Sequence, residues 1–315
     1  MFNHQIFPVQ YIPFLLSFFL PDSSVFAQVQ ADTSLIQHHL RFISQTDDFR
    51  HHANPNRLNE VAAYLHAAFA QYSQSVSYQP FTVDGTEYKN VIATFGPPDA
   101  PRIIVGAHYD VCGHQQGADD NASGTVGLLE LARMLQGQSL QHRIDLVAYT
   151  LEEPPYFRTQ HMGSFVHARS LKEEDAEVLG MVCLEMIGFF KDEKGSQTYP
   201  LKPLALIYGK KGNYITLVRK FGAGRFARRF CRKYKRSRSI RTKTFTAPAK
   251  LQGIDFSDHR NYWHFGFSAL MITDTAFFRN PHYHEKTDVI ETLDIPRMAR
   301  VIEGVFLSLV KLAAA

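Results

Sequence analysis

Residues 101–136 read PRIIVGAHYDVCGHQQGADDNASGTVGLLELARMLQ. The first ten residues form a short apolar run that ends in polar side chains, which is typical of a strand buried on both faces. After Asn121, small residues give way to apolar residues at helical spacing. Between strand and helix, two aspartates and an asparagine (119–121) stand side by side, whereas an ordinary turn needs one such residue and a glycine. The extra carboxylate indicates a turn that carries chemistry.

The same alternation of strand and helix continues on both sides of this stretch. A hairpin (75–96) turns at Asp84-Gly85, and the apolar runs RIDLVAYTLEE (143–153) and VLGMVCLEMIGFF (178–190) predict two further buried strands. Amphipathic helices are predicted in several places: 32–45 and 54–73, opened by capping Asp32 and Asn54, then 163–171 and 295–314. This order predicts an α/β fold with an open, doubly wound sheet.

Composition excludes several classes of protein. Of the 315 residues, 45% are apolar and 20% are charged, which is typical of a soluble globular protein. The net charge of only +4 gives no reason to expect nucleic acid as a partner. The three cysteines, Cys112, Cys183 and Cys231, cannot build a disulfide framework, and we expect buried thiols with at most one bridge.

The N-terminus differs from the rest of the chain. Residues 1–27 contain the apolar run YIPFLLSFFL followed by PDSSVFA, which offers a small-residue cleavage site after Ala27. This pattern predicts a signal peptide and a periplasmic or secreted protein, although MFNHQ lacks the usual Lys or Arg. The alternative is a disordered or membrane-associated arm. Residues 28–315 are expected to form one domain, with no stable membrane insertion after signal removal.

Charge is strongly segregated along the chain. The segment 219–243 holds 12 Lys or Arg and no acidic residue. Since the whole chain has a net charge of +4, the remainder has a net charge of −8. We expect a less regular basic insertion at about 194–250. Within it, Phe226, Phe230 and Tyr234 would form the inner face of an amphipathic helix. The alternative is a basic rim that faces anionic substrates or an anionic envelope surface.

Imidazoles and carboxylates recur at the predicted strand ends. They are His108 and Asp110, the pair Glu152–Glu153, and Glu185, to which the turn adds Asp120 and the last loop adds His284. Taken alone, each has a structural explanation, such as a hydrogen-bonded histidine or a helix cap. Two of these histidines and three of these carboxylates make the ligand set of a two-zinc site in which Asp120 is shared: His108, His284, Asp120, Glu153 and Glu185. Glu152 is then left over as the general base.

Six motifs resemble, in order, those of the di-zinc aminopeptidase family. They are GAHYD, GADDNASG, TLEEPP, LEMIG, SDH and NPHYHEKTD, and the resemblance covers about residues 88 to 313. The family includes bacterial leucyl aminopeptidases and is related to glutamate carboxypeptidase II and glutaminyl cyclases. The resemblance implies a mixed, largely parallel sheet of about eight strands, flanked by helices, with two Zn²⁺ at the strand ends.

Matched residue by residue, the resemblance implies a full ligand set. His108 and Glu185 would hold one zinc ion, Glu153 and His284 would hold the other, and Asp120 would bridge them. Many family members have Asp in place of Glu185, so the longer side chain here is a departure. His282 is an additional imidazole next to the ligand His284.

The resemblance also implies the roles of neighbouring residues. Asp110 would accept the second ring N–H of the ligand histidine, and Glu152 would act as general base. Tyr283 resembles a tyrosine that stabilises the oxyanion in some members. A cis peptide bond is implied between Asp120 and Asn121. Asp258 and His259 match a motif for which we expect a structural role, and Asp119 is expected to be a turn residue only.

The favoured function is an aminopeptidase that hydrolyses N-terminal residues of peptides. Alternatives are a dipeptidase, a carboxypeptidase and a glutaminyl-peptide cyclotransferase. Cyclotransferases need one zinc ion and typically lack the first ligand histidine, which is present here as His108. A non-catalytic binding module would have lost Glu152 or a ligand, and none is lost. Arg279 and the basic segment would favour acidic peptides. Nothing in the sequence indicates the oligomeric state.

Overall fold

The computed structural model describes residues 29–314, and within them eight strands form one mixed sheet. The strands are β1 (Ser75–Val83), β2 (Thr86–Phe95), β3 (Arg102–His108), β4 (Arg143–Tyr149), β5 (Val178–Glu185), β6 (Ile215–Lys220), β7 (Thr242–Ala247) and β8 (Ala269–Thr273). Their order across the sheet is β1-β2-β4-β3-β5-β8-β6-β7. The predicted α/β fold with about eight strands is confirmed, whereas the predicted signal peptide (1–27) lies outside the described residues.

Helices flank the sheet. They are α1 (Thr33–Ser44), α2 (Pro55–Ala70), α3 (Gly124–Leu135), α4 (Gly163–Glu173), α5 (Leu204–Tyr208), α6 (Gly224–Ser237), α7 (His259–His264) and α8 (Ile295–Ala313). The side chains of Asp32 and Asn54 accept hydrogen bonds from the first-turn amides of α1 and α2, as predicted from their capping positions. Among the helices within residues 29–314, none has the length and apolar content that crossing a membrane requires.

The central strands are buried on both faces, because alternate residues enter two separate cores. In β3, Ile103 and Val105 join the core under α1, α2, α3, α6 and α8, while Ile104 joins the core under α4 and α7. In β5, Leu184 joins the first of these cores and Cys183 joins the second. Burial on both sides explains why these strands read as continuous apolar runs in the sequence.

Four neighbouring strands run in the same direction and end at one edge of the sheet. β3 pairs in parallel with both β4 and β5, and β5 pairs in parallel with β8. His108 is therefore level with Tyr149, and Glu185 is level with Thr273. In open α/β sheets, ligands bind outside this carboxyl edge.

The segment 194–250 is more regular than predicted. It supplies β6, α6 and β7, so two strands of the central sheet lie within it. β7 was hard to recognise because it is an edge strand, TKTFTA, whose side chains are mostly half-exposed and need no apolar pattern. The amphipathic helix is confirmed as α6, with Phe226, Phe230 and Tyr234 buried.

The three cysteines are free thiols. Cys183 and Cys231 are buried in the two cores, as predicted. Cys112 is only half-buried and lies in the loop between β3 and the turn at Ala118–Ser123.

Candidate metal centre

Two imidazoles and three carboxylates converge at the carboxyl edge of the sheet. Nε2 of His108 lies 3.5 Å from Oδ1 of Asp120 and 3.4 Å from Oε2 of Glu185. Nε2 of His284 lies 3.2 Å from Oδ2 of Asp120 and 3.2 Å from Oε2 of Glu153. The five predicted ligands thus form two trios that share Asp120, with one of its oxygens facing each imidazole. Their role as metal ligands stays a prediction.

Asp110 orients the two adjacent glutamates. Its carboxylate accepts the backbone N–H groups of Glu152 and Glu153, at 3.2 and 3.1 Å. Leu151, immediately before them, has a positive φ of 61°, which turns the chain sharply at the end of β4. Glu153 consequently joins the His284 trio, whereas Oε2 of Glu152 lies 3.9 Å from Nε2 of His108. Adjacent residues therefore serve different positions in the site.

The second ring nitrogen of His108 has a different nearest acceptor from the one predicted. Nδ1 lies 3.2 Å from the backbone carbonyl of Asp110 and 3.5 Å from its carboxylate. The carboxylate also accepts the two backbone amides. The carbonyl is the nearer acceptor for the ring, and the carboxylate lies beside it.

The Asp120 turn is held by residues from a distant loop. The Asp120–Asn121 peptide bond is cis, as predicted. The carboxylate of Asp288 accepts the backbone N–H groups of Asp119 and Asp120, at 2.9 and 3.0 Å. We did not assign Asp288 a role from the sequence, although it is the last residue of the quoted motif NPHYHEKTD. Its place at the end of that motif was the only sequence signal for this role.

Glu185 is anchored by a hydroxyl group. Oγ of Ser257 donates a hydrogen bond of 2.6 Å to Oε2 of Glu185, the same oxygen that faces His108. A glutamate has one more rotatable bond than the aspartate of many relatives, and this hydrogen bond restricts it. Ser257 is the first residue of the SDH motif. The sequence indicated that the motif is near the site but did not predict the contact with Glu185.

The site concentrates negative charge away from water. Burial raises the pKa of Glu153 from 4.5 to about 7 and raises the pKa of Glu152 well above its ordinary value. Asp120 is also buried, but the facing imidazoles of His108 and His284 lower its pKa below the ordinary range. Burial opposes the charge on His108, yet the carboxylates around it raise its pKa, Glu185 most strongly. A bound cation would neutralise this charge.

The donor set fits zinc by chemistry and by distance. Oδ2 of Asp120 and Oε1 of Glu153 are buried and accept no hydrogen bond from the described residues, although Oδ2 lies within 3.2 Å of the His284 ring. Imidazole nitrogen and carboxylate oxygen are zinc donors, with bonds of about 2.0 Å. Tetrahedral ligands at that radius stand about 3.3 Å apart. The contacts of 3.2–3.5 Å within each trio agree with that spacing.

Comparison with known proteins identifies the family. Residues 90–308, more than half of the chain, match the sequence profile described as Peptidase family M28.

The chain belongs to peptidase family M28.

Sequence relatives of this M28 peptidase agree with the assignment. The uncharacterized protein YfbL of Escherichia coli (strain K12) is 40% identical over 274 residues, 84% of each chain. Leucine aminopeptidase 1 of Arthroderma otae is 27% identical over 241 residues, which is 70% of this chain and 58% of that protein. M28 peptidases are zinc-dependent, this chain has groups that could hold a metal ion, and it is a hydrolase that acts on peptides.

Solved structures share the fold of this M28 peptidase. The LapA aminopeptidase of Legionella pneumophila superimposes with a TM-score of 0.71 and 18% identity, covering 90% of this chain and 73% of LapA. Glutaminyl cyclase of Bacteroides thetaiotaomicron gives a TM-score of 0.67 and 17% identity, covering 89% and 98%. At these identities the likeness establishes the fold, which aminopeptidases and cyclases have in common.

Asp119, expected to be only a turn residue, ties three loops together in this M28 peptidase. Its Oδ1 accepts the backbone N–H of Gly188 at 2.9 Å, and its Oδ2 accepts Nδ2 of Asn280 at 2.7 Å. Burial, and then the neighbouring Asp274, raise the pKa of Asp119 well above its ordinary value. The first aspartate of the pair thus organises the loops, while the second faces the imidazoles.

Asp119→Ala should lower the free energy of unfolding by about 1–3 kcal/mol, because it leaves the Gly188 amide and the Asn280 side chain buried without an acceptor. Urea denaturation of the metal-loaded protein measures the change. Asp99→Ala, at an exposed turn, is the matched control and should change stability by less than about 0.5 kcal/mol. Equal stability of the two variants would contradict the role given to Asp119.

Tyr283 and His282 lie on the same loop in different surroundings. The ring of Tyr283 stacks on the ring of His284, with centroids 3.8 Å apart. Nδ1 of His282 lies 2.9 Å from the hydroxyl of Thr287, and His282 is part of neither trio. The loop therefore presents His284 and Tyr283 to the site and points His282 elsewhere.

Asp258 and His259 are buried beside the centre. Nε2 of His259 lies 2.7 Å from the carbonyl oxygen of Ile254, a contact that agrees with the expected structural role. Burial raises the pKa of Asp258 to about 7, and its carboxylate accepts no hydrogen bond from the described residues.

A buried arginine missed by sequence reasoning secures the loop that precedes the Asp120 turn. Nε and Nη2 of Arg50 donate hydrogen bonds of 2.7 Å to the carbonyls of Tyr109 and Gly117, and Nη1 donates to the carbonyl of Gln116. The backbone N–H of Val111 donates in turn to the Arg50 carbonyl at 3.2 Å. One side chain therefore fixes both ends of the loop 109–117. Arg50 lies in an ordinary polar stretch, so the sequence offered no signal for it.

A cavity of about 150 Å³ opens onto the two trios. Its floor is formed by the acidic side chains of Asp120, Glu152, Glu153 and Glu185. Its walls are largely aromatic and include Phe157, Tyr208, Phe245, Phe256, Phe277 and Phe278. Within the described residues, no Lys or Arg lines this cavity. The site is thus an acidic floor beneath an apolar chamber.

Arg279 does not give the cavity a basic wall. Its side chain is only 6% exposed, and Nε donates a hydrogen bond of 2.8 Å to Oε1 of Gln197. The guanidinium also stacks over Tyr214, 4.8 Å from the ring centre. The expected preference for acidic peptides therefore has no support in the cavity lining.

Proposed function

We propose that the protein is a two-zinc aminopeptidase that removes bulky apolar N-terminal residues, with Glu152 as general base. The observation that carries the proposal is the shared position of Asp120, each of whose oxygens faces one imidazole. His108, Asp120 and Glu185 would hold one zinc ion, and His284, Asp120 and Glu153 would hold the other. When bound, the two ions would polarise the scissile carbonyl and acidify the attacking water.

Glu152 is suited to move the proton. It is buried, and the raised pKa of its carboxyl group brings it closer to the working pH of a general base. The backbone hydrogen bond from Glu152 to Asp110 fixes the start of its side chain. Glu152 would take a proton from the attacking water and then deliver it to the leaving amine.

Tyr283 is suited to stabilise the negative charge that develops on the carbonyl oxygen. Its side chain lines the cavity next to His284, and burial raises the pKa of its hydroxyl far above the ordinary value. The phenol therefore stays protonated and can donate a hydrogen bond. Its stacking on the His284 ring limits its orientation.

The substrate class follows from the lining of the cavity. A peptide would present its N-terminus to the two trios, whose carboxylates line the cavity. The aromatic walls would bury the side chain of the first residue, and burial of apolar surface contributes about 25 cal/mol per Å². Leucine and phenylalanine gain most from this, whereas an acidic side chain would meet no cation.

A panel of aminoacyl anilides and a glutaminyl peptide, assayed with and without a chelator, tests the proposal. Leucyl and phenylalanyl anilides should be hydrolysed with kcat/KM at least about tenfold above alanyl and glutamyl anilides, and the chelator should abolish turnover. Cyclisation of the glutaminyl peptide without hydrolysis of the anilides would instead identify a cyclotransferase. A preference for glutamyl anilide would contradict the apolar specificity.

A further inference from the structure

A thiol lies beside one of the two trios. Cys112, Glu153 and His284 each offer one ligand atom, and these three atoms lie within 4.8 Å of one another. Thiolate sulfur, carboxylate oxygen and imidazole nitrogen are all donors that zinc binds. Among the described residues no thiol forms such a group with the His108 trio: Cys183 reaches Glu185 only through the hydroxyl of Ser257, which lies 3.1 Å from its Sγ, and Cys231 is buried in a core. The two halves of the centre therefore differ in their donors.

The backbone that carries Cys112 is held firmly. Arg50 grips both ends of the loop 109–117, and the amide of Val111, directly before the cysteine, donates to the Arg50 carbonyl. Tyr109 is additionally fixed by its own amide, which donates to the Tyr149 carbonyl at 2.8 Å. The position of the thiol thus follows from a network of buried hydrogen bonds.

An independent observation points to a cation between these groups. Glu153 is 4% exposed, and its Oε1 accepts no hydrogen bond from the described residues. A buried carboxylate oxygen without a partner is costly unless a donor or a cation compensates it. Glu153 and the thiol belong to the same cluster, so one cation there would contact both residues.

We infer that Cys112 is a thiolate ligand of the zinc ion held by Glu153 and His284. The inference rests on the proposed two-zinc function. The sulfur–zinc bond forms as the S–H bond breaks, and the proton leaves to solvent, so no oxidant or reductant is needed. With Asp120, this position has four protein donors, whereas the His108 position has three. Four donors are typical of a closed zinc site and three of a site with an open position.

The asymmetry has consequences for metal choice. A soft thiolate favours Zn²⁺ and Cd²⁺ over Mn²⁺ and Mg²⁺, whereas imidazole and carboxylate alone discriminate less. The Glu153–His284–Cys112 position should therefore fill first and release its ion last. Attack by water is expected on the His108 side, where Glu152 also lies.

Cobalt substitution of the full chain tests the inference. Co²⁺ bound to a thiolate gives an intense near-ultraviolet charge-transfer band that imidazole and carboxylate ligands do not give. The metal-free protein titrated with Co²⁺ should develop this band during the first equivalent. Cys112→Ala should lose the band, and its dissociation constant for the tighter zinc ion should rise about 10- to 100-fold. Cys231→Ala is the matched control and should keep both properties.

The two hypotheses fail in different ways. If the unsubstituted protein binds Co²⁺ without the band, Cys112 is only a neighbour of His284 and the inference is overturned, whatever the metal count. If fewer than two Co²⁺ ions bind per chain, the two-zinc function fails instead. The band of the unsubstituted protein decides the inference even if Cys112→Ala does not fold.

Discussion

Glu152→Gln is expected to bind two zinc ions per chain and to lower kcat on leucyl anilide about 100- to 10 000-fold. Glutamine keeps the size and position of the side chain but cannot accept the proton of the attacking water. The metal trios remain intact, because Glu152 belongs to neither. Steady-state kinetics and metal analysis on the same sample give both readouts.

Glu173→Gln is the matched control for this change. Glu173 is an exposed residue of α4, where loss of a carboxylate should alter neither the metal content nor kcat. If Glu152→Gln keeps kcat within about tenfold of the control, the general base has been misassigned. If it loses zinc as well as turnover, Glu152 is a ligand and the division of roles between the two glutamates is wrong.

Removal of the metal is expected to reduce turnover to the buffer blank and to lower the melting temperature. Without cations, four carboxylates stay crowded in a buried floor, where their charge is unfavourable. Zinc at a thousandfold excess over its dissociation constant stabilises a folded protein by about 4 kcal/mol. Titration of the stripped protein with Zn²⁺, followed by activity and differential scanning calorimetry, measures both effects.

Two equivalents of Zn²⁺ should be required for full recovery. Mg²⁺ is the matched control and should restore neither property, because it prefers oxygen ligands while each trio contains an imidazole. Full activity with one equivalent would contradict the two-zinc proposal and would leave the shared position of Asp120 without a catalytic reason.

The sequence was most informative where local chemistry coincided with a strand end. His108 and Glu185 close buried apolar runs, so parallel strands alone bring them to one edge of the sheet. The pairing of His284 with Glu153 came from motif order, because no local pattern relates a late loop to β4. The ligand assignments themselves remain predictions until metal is measured.

Residues that act through tertiary contacts could not be recognised in the same way. Arg50 reaches backbone carbonyls 59 and 67 positions away, and Ser257 reaches a side chain 72 positions away. Neither contact leaves a periodic or compositional trace in the sequence. The strands β6 and β7 were missed for other reasons: β6 is a short buried run that leads directly into the basic segment, whereas β7 is a threonine-rich strand at the sheet edge that resembles a solvated loop.

Because of Arg50, the part of the chain that the site needs is longer than the part that matches the family. The family profile begins at residue 90, yet the loop that leads from His108 to Asp120 is clamped by an arginine from the connection between α1 and α2. A fragment cut at the border of the matched region would retain every proposed ligand and lose the clamp. Expression fragments and chimaeras of this peptidase should therefore begin upstream of α1.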